Sequence, residues 1–259
     1  MLDLLLARKE TAEFVTAKLW REFVSPEPDV AEVKRIARVF RDANYEIKVA
    51  LRELLLSPAF YAAENRGVLV KSPVDLVVGT LRSLEIRPDQ TLPFAVAAAG
   101  MGQNLMSPPN VKGWPGGETW INTTTLLARK QFVDRVTRAD ESSMAVAAAI
   151  MNVVDTGSQP MEQGEGARAP RNAVAANPVV DEEKARQRRF ARQMERGISN
   201  VQFNSARWMA QFPGSTPGER GRSAQRLLLA VEPQQPADFN VDSLALVHGL
   251  MLDAAYQLK

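Results

Sequence analysis

A chain of 259 residues, 45% hydrophobic and 24% charged, has enough apolar surface for one large core or two modest ones, and its composition is that of a folded globular protein. With no Cys and a single His it excludes disulfides, thiolate metal sites and cysteine nucleophiles and leaves zinc almost without ligands; carboxylates are the only plentiful metal ligands, and no metal or cofactor is expected. A formal charge of +2 implies no general attraction to nucleic acid or acidic membranes, so any basic character must be local.

Residues 1–6 run directly into Arg8, Lys9 and Glu10, without the basic start and long apolar core of an export signal. The longest apolar stretches, 92–99 and 144–151, fall well short of the roughly 20 residues that a membrane-spanning helix needs. No membrane span is expected, and a genuine start at Met1 would place the chain in the cytoplasm. The lack of Cys fits reducing and oxidising compartments equally.

From residue 10 to residue 138 apolar residues recur at helical spacing. Val15, Leu19 and Phe23, with Trp20 and Val24 beside them, form a first stripe that Ser25-Pro26 interrupts. Asp29 then caps a second helix, with Glu32 placed as in a capping box and Val33, Ile36, Ala37 and Phe40 on the buried face. Ile47, Ala50, Leu51 and Leu54 make a third stripe. Ser57-Pro58 and Ser72-Pro73 each read as an N-cap followed by proline at the first helical position, the second carrying Asp75 near its positive end and burying Val74, Val77, Val78 and Leu81. An alanine-rich helix over 92–103 follows, then an irregular loop, then a helix over 122–138. Nothing alternates with period two for long enough to make a strand.

After Met151 the pattern changes. Residues 152–180 mix Gly, Pro, Gln, Ala and charges without apolar period and read as a flexible linker. Beyond it, 181–195 reads as a solvated helix, 201–212 and 223–231 as short amphipathic pieces, and Val241, Leu244, Ala245, His248 and Leu252 as one face of a last helix. The predicted fold is therefore all-α: a multi-helix orthogonal bundle over 1–151 with one long irregular loop, a linker over 152–180, and a smaller helical part over 181–259.

The loop 107–120, SPPNVKGWPGGETW, holds two Trp, three Gly and three Pro, a mixture that helices do not tolerate. Its tryptophans can plug the loop onto the helical core. In the functional alternative, Trp114 or Trp120 stacks on a sugar or other flat ligand while Lys112, Glu118 or Asn122 supplies polar contacts. Asn122, at a helix start, either caps that helix or leaves its N–H groups to an anion.

His248 reads as a satisfied core or interface histidine rather than a base. Glycine-flanked nucleophile, P-loop and dinucleotide patterns are missing. Between 181 and 226, ten basic residues face five acidic ones, among them Arg189, Arg192, Arg196 and Arg207. Phe190, Phe203 and Trp208 could stack on bases there. Such a run is ordinarily a solvated face with its aromatics turned inward, and nucleic acid is not expected as a partner.

The order of landmarks resembles the uncharacterised bacterial domain-of-unknown-function family 1800. Those landmarks are the 14–23 stripe, LLLSPAF at 54–60, VKSPVDLVVGTLRSL at 70–84, the 102–120 segment ending PPNVKGWPGGETW, and 122–129. The resemblance covers roughly residues 1–138 and is to the C-terminal half of that family's longer helical domain, which usually follows an export signal. It implies that an N-terminal half is either missing through truncation or supplied by a partner. Members are commonly encoded beside a secreted sulfatase-like family, so it also implies an extracytoplasmic setting and such a partner. It implies no catalytic residue.

Three functions fit these readings. The first is a noncatalytic extracytoplasmic binding or assembly module acting with a partner protein. The second is an enzyme acting on carbohydrate, with Glu118 as acid or base, Trp114 as platform and Asp75 or Asp134 as second carboxylate. The third is an arginine-driven nucleic-acid binder.

Overall fold

The computed structural model describes residues 2–137, 189, 192–194, 196–198, 201 and 203–259. The linker expected over 152–180 lies outside the described residues, as does Phe190. Among the described residues the protein is all-α, and the sole β-type pairing is an isolated antiparallel bridge between Val70 and Leu258.

The first five helices are α1 (Leu2–Leu6), α2 (Lys9–Phe23), α3 (Val30–Asp42), α4 (Ile47–Leu55) and α5 (Pro58–Tyr61). One apolar cluster joins α2 to α4: Ala12, Trp20, Val24, Val33, Ile36, Ala37, Phe40, Ala50 and Leu54. α3 buries the four residues its periodicity selects. The Asp29 carboxylate accepts from the N–H groups of Ala31 and Glu32 at 2.8 and 3.1 Å, satisfying two donors at the helix start. The reciprocal half of the expected capping box is not formed, because Glu32 pairs with Arg35 instead. At the other end Asn44 takes a left-handed φ of 52°, and the Tyr45 N–H donates back to the Phe40 carbonyl at 2.9 Å, closing a Schellman motif.

α2 corrects the first predicted stripe. Its fully buried line is Ala12, Thr16 and Trp20, with Val15 and Leu19 half-buried beside it, whereas Phe23 faces solvent. Small residues on that line let α3 lie close, and hydropathy alone gives them little weight. Ile47 is likewise exposed, since α4 makes its contact through Ala50 and Leu54. Ser57 does not cap α5, which is a single turn; its hydroxyl donates back to the Leu54 carbonyl at 2.7 Å.

The second core is assembled from distant parts of the chain. α6 (Pro73–Ser83), α7 (Leu92–Gly100) and α8 (Thr123–Thr137) pack with the helices Ser205–Met209, Pro217–Leu228 and Ser243–Leu252 and the 3-10 turn Ala254–Gln257. Their cluster runs from Leu76, Phe94 and Val133 to Trp208, Leu228, Val247 and Met251, so residues on both sides of the expected linker share one apolar interior. α6 opens with the predicted capping box between Ser72 and Asp75, but its buried line is Pro73, Leu76, Val77 and Thr80, and Val78 is exposed. α7 ends at Gly100, three residues earlier than expected. Gly102, at φ 102°, then lets the Gln103 N–H return to the Ala98 carbonyl at 3.0 Å. The piece expected over 223–231 begins earlier, at Pro217, behind a Thr216–Glu219 capping box. In the last helix Leu246, Val247, Leu250 and Met251 are buried with His248, whereas Ala245 is exposed.

Candidate functional site

The loop leaves α7 through its glycine cap and re-enters the fold at the 3-10 turn Gly117–Trp120, which leads into α8. Gly113, Gly116 and Gly117 all hold positive φ, at 88°, 75° and 60°, a region that side chains with a Cβ resist. Local hydrogen bonds set the remaining shape. The Lys112 N–H donates to Asn110 Oδ1 at 2.8 Å, the Gly113 N–H to the Asn110 carbonyl at 3.0 Å, and the Thr119 hydroxyl to the Gly116 carbonyl at 2.5 Å.

The five residues singled out from the sequence divide by burial. Trp120 is 7% exposed and seats the end of the loop in the fold, while Trp114 is half-buried. Lys112 and Glu118 point to solvent, and Asn122 is exposed at the start of α8. There Asn122 Oδ1 accepts from the Thr125 N–H, and the Thr125 hydroxyl accepts from the Asn122 N–H, both at 2.9 Å. This reciprocal pair is a cap, so those positions at the helix start are already occupied by the protein's own groups. Around the loop, Leu105 is about half exposed and Met106 and Val111 almost wholly so, at 54%, 91% and 105%.

The carboxylates considered as partners for Glu118 have other contacts. Asp75 accepts from Lys259 Nζ at 2.7 Å and from the Ser72 N–H at 3.0 Å. Asp134, on α8, lies 2.5 Å from His248 Nε2. That bond joins α8 to the last helix, and sequence proximity misses it because the two residues are 114 positions apart. The nearer acids serve the backbone: Asp242 caps the last helix, and Asp253 accepts from Gln234, Gln235 and Ala255 N–H groups. Among the described residues no group of three or more His, Asp or Glu is placed to hold a metal ion.

A buried polar cluster that the sequence did not announce lies where the 69–71 segment pairs with the 257–259 segment. Arg129, wholly buried on α8, donates through Nη1 to Gln257 Oε1 at 3.1 Å and through Nη2 to the Lys71 carbonyl at 2.9 Å. Lys71 Nζ donates to the Tyr256 carbonyl at 2.8 Å and sits 3.9 Å from the centre of the Tyr256 ring. The Tyr256 hydroxyl in turn meets the Thr80 hydroxyl at 2.8 Å.

Burial dominates the titration of this cluster. It lowers the Lys71 ammonium to about 8 against the favourable field of Asp75, lowers Arg129 to about 10, and pushes the Tyr256 phenol up to about 12. Burial also opposes ionisation of Asp75, yet Lys259 and the Ser72 hydrogen bonds outweigh it and hold the carboxyl below the usual carboxylate range. Lys259 bridges Asp75 and Glu22 at 2.7 and 2.8 Å, joining α6 to the end of α2. The arrangement is that of a clamp: among the described residues the side-chain hydrogen bonds and ring contact of Arg129 and Lys71 go to neutral oxygens and to an aromatic face.

What these features define is an all-α protein with an anchored, solvent-facing loop and a clamped interior. The chain belongs to the family described as protein of unknown function (DUF1800), whose model matches residues 1–240 and so extends about a hundred residues beyond the landmarks legible in the sequence. No curated protein and no solved structure gives a significant match.

Proposed function

We propose that this protein is a noncatalytic helical module that works outside the cytoplasm with a partner protein, the sulfatase-like protein that the family resemblance implies, and meets that partner through the 107–120 loop. The observation that carries the reading is the contrast within the loop. Trp120 anchors it, its glycines permit its turns, and the apolar side chains of Val111 within it and of Met106 immediately before it are left almost fully in water. Single exposed apolar residues are ordinary, but an anchored loop that carries Val111 and is preceded by Leu105 and Met106 offers several of them within a short stretch of chain, as a contact surface does. The capping of α8 by Asn122 and the outside commitments of Asp75 and Asp134 weaken the carbohydrate-enzyme alternative.

Co-expression with the sulfatase-like protein tests this. Wild type is expected to co-purify with it, and Met106→Asp combined with Val111→Asp to reduce the recovered complex at least about tenfold with unchanged thermal unfolding. Equal recovery for the double variant would remove the loop from the interface. Turnover of a glycoside or ester panel that Glu118→Ala abolishes would replace the reading with an enzymatic one.

A further inference from the structure

Away from the loop, an open cleft of about 840 Å3 lies between the 85–90 turn after α6 and the helical residues of the 189–198 segment. Arg87 stands on one wall, and Arg189, Arg192 and Arg196, each in helical conformation, on the other. All four are exposed, and none makes an ion pair among the described residues. Glu85 and Asp89 also line the cleft, so its named charges are four positive and two negative.

Both walls are fixed to the same core. Ile86 is buried, its N–H donating to the Leu81 carbonyl at 2.8 Å, because Glu85 adopts a left-handed φ of 55° that closes α6 in a Schellman motif without glycine. Opposite, Ile198 and Val201 enter the same apolar cluster, and Met194 is buried. Gly197 lies so close to α7 that a Cβ there would stand 2.4 Å from Pro93 Cγ, so the arginine-bearing segment approaches to a distance only glycine allows.

From this geometry we infer that the cleft binds a compact phosphate-bearing anion. Among its described lining residues the excess of two positive charges matches a phosphate monoester, which carries about −1.5 to −2 at neutral pH. Arginines lining both walls of a cleft supply planar N–H forks of the kind that pair with the tetrahedral oxygens of such a group. The volume is that of a small-molecule site. Extended nucleic acid fits less well. Trp208, the obvious stacking residue, is buried, donates Nε1–H to the Ser83 carbonyl at 2.7 Å and packs edge-on against Phe203 and Phe212. Two carboxylates in the cleft would also repel a second phosphate.

Titration calorimetry on the full chain with phenyl phosphate, inorganic phosphate and a 20-nucleotide single-stranded oligonucleotide tests the inference. Phenyl phosphate is expected to bind, Arg87→Gln and Arg192→Gln each to weaken it about tenfold, and Arg192→Lys to weaken it less. Arg38→Gln, an exposed change on α3, is expected to leave it unaltered. Tighter binding of phenyl phosphate than of inorganic phosphate identifies an ester as the ligand; equal binding identifies free phosphate; both support the site. The inference is overturned by no binding at millimolar phenyl phosphate, by equal weakening in Arg38→Gln, or by binding confined to the oligonucleotide with a steep salt dependence. Gly197→Ala supplies a second check, since displacing one wall should weaken binding without removing any charge.

Discussion

The α2–α4 cluster and the core around Arg129 solve the same problem, burying helices against one another, by different means. The first takes its apolar cluster from one continuous stretch, with Thr16 as the buried polar side chain on α2 and a few local caps. The second joins α6–α8 to helices beyond residue 200 and places a wholly buried arginine, a half-buried lysine and a tyrosine at the seam. Local order can be specified by periodicity and capping; joining distant segments in one register takes polar groups that fit only each other.

If the second core is a single unit, damage at one end should be felt at the other. Trp208→Ala removes a large buried ring and its bond to the Ser83 carbonyl, and a loss of about 3–5 kcal/mol in urea unfolding is expected. Hydrogen exchange should accelerate in α6 and α8 as well as around the substitution. Acceleration confined to residues 203–259 would mean two cores where we describe one.

A smaller effect is expected at the seam itself. Arg129→Met keeps most of the volume but strands the Lys71 carbonyl and the Gln257 amide oxygen, costing on the order of 1–3 kcal/mol. The α2–α4 cluster, which holds no such group, should keep its exchange protection. A neutral or stabilising outcome would show that the burial cost of the guanidinium equals or exceeds its hydrogen bonds.

The smallest and most specific effect is on pH dependence. Lys71 titrates at about 8 in the folded protein and near 10.5 when unfolded, so between those values the unfolded chain binds more protons. Stability contributed by this group is therefore expected to rise as pH increases from 8 to 10.5, by on the order of 1 kcal/mol, and to be flat below that window. Comparing urea midpoints of wild type and Lys71→Met across pH 7–10 isolates it: the variant should lack the rise. Identical slopes would place the ammonium in water rather than over the Tyr256 ring.

Legibility from sequence follows the same division. Val33, Ile36, Ala37 and Phe40 are read correctly because α3 is apolar on one side only, and the Ser72 capping box is a purely local signal. The last helix is apolar nearly all round, so periodicity cannot choose its face, and Leu246, Val247, Leu250 and Met251 are buried where Ala245 was expected. Arg129 looks like any arginine of a helix, because the oxygens that justify its burial lie 58 and 128 residues away. For the loop, composition identifies an irregular path through Gly113, Gly116 and Gly117, but the choice of Trp120 rather than Trp114 as the anchor depends on packing. The cleft bearing Arg87 and Arg192 brings together residues more than a hundred positions apart, a pairing that a count of charges cannot contain.

The pairing of the 69–71 and 257–259 segments also sets an order of assembly. On a chain made from its N-terminus, α2–α4 can close once Leu54 has emerged, whereas α6 stays without Tyr256 and the Lys259 bridge until synthesis has passed residue 259. Through that interval Leu76 and Val133 lack much of the apolar cover they have in the finished core. Between the emergence of α8 and that of the 257–259 segment the nascent chain is therefore open to aggregation and proteolysis, and pairing of the two segments closes that interval.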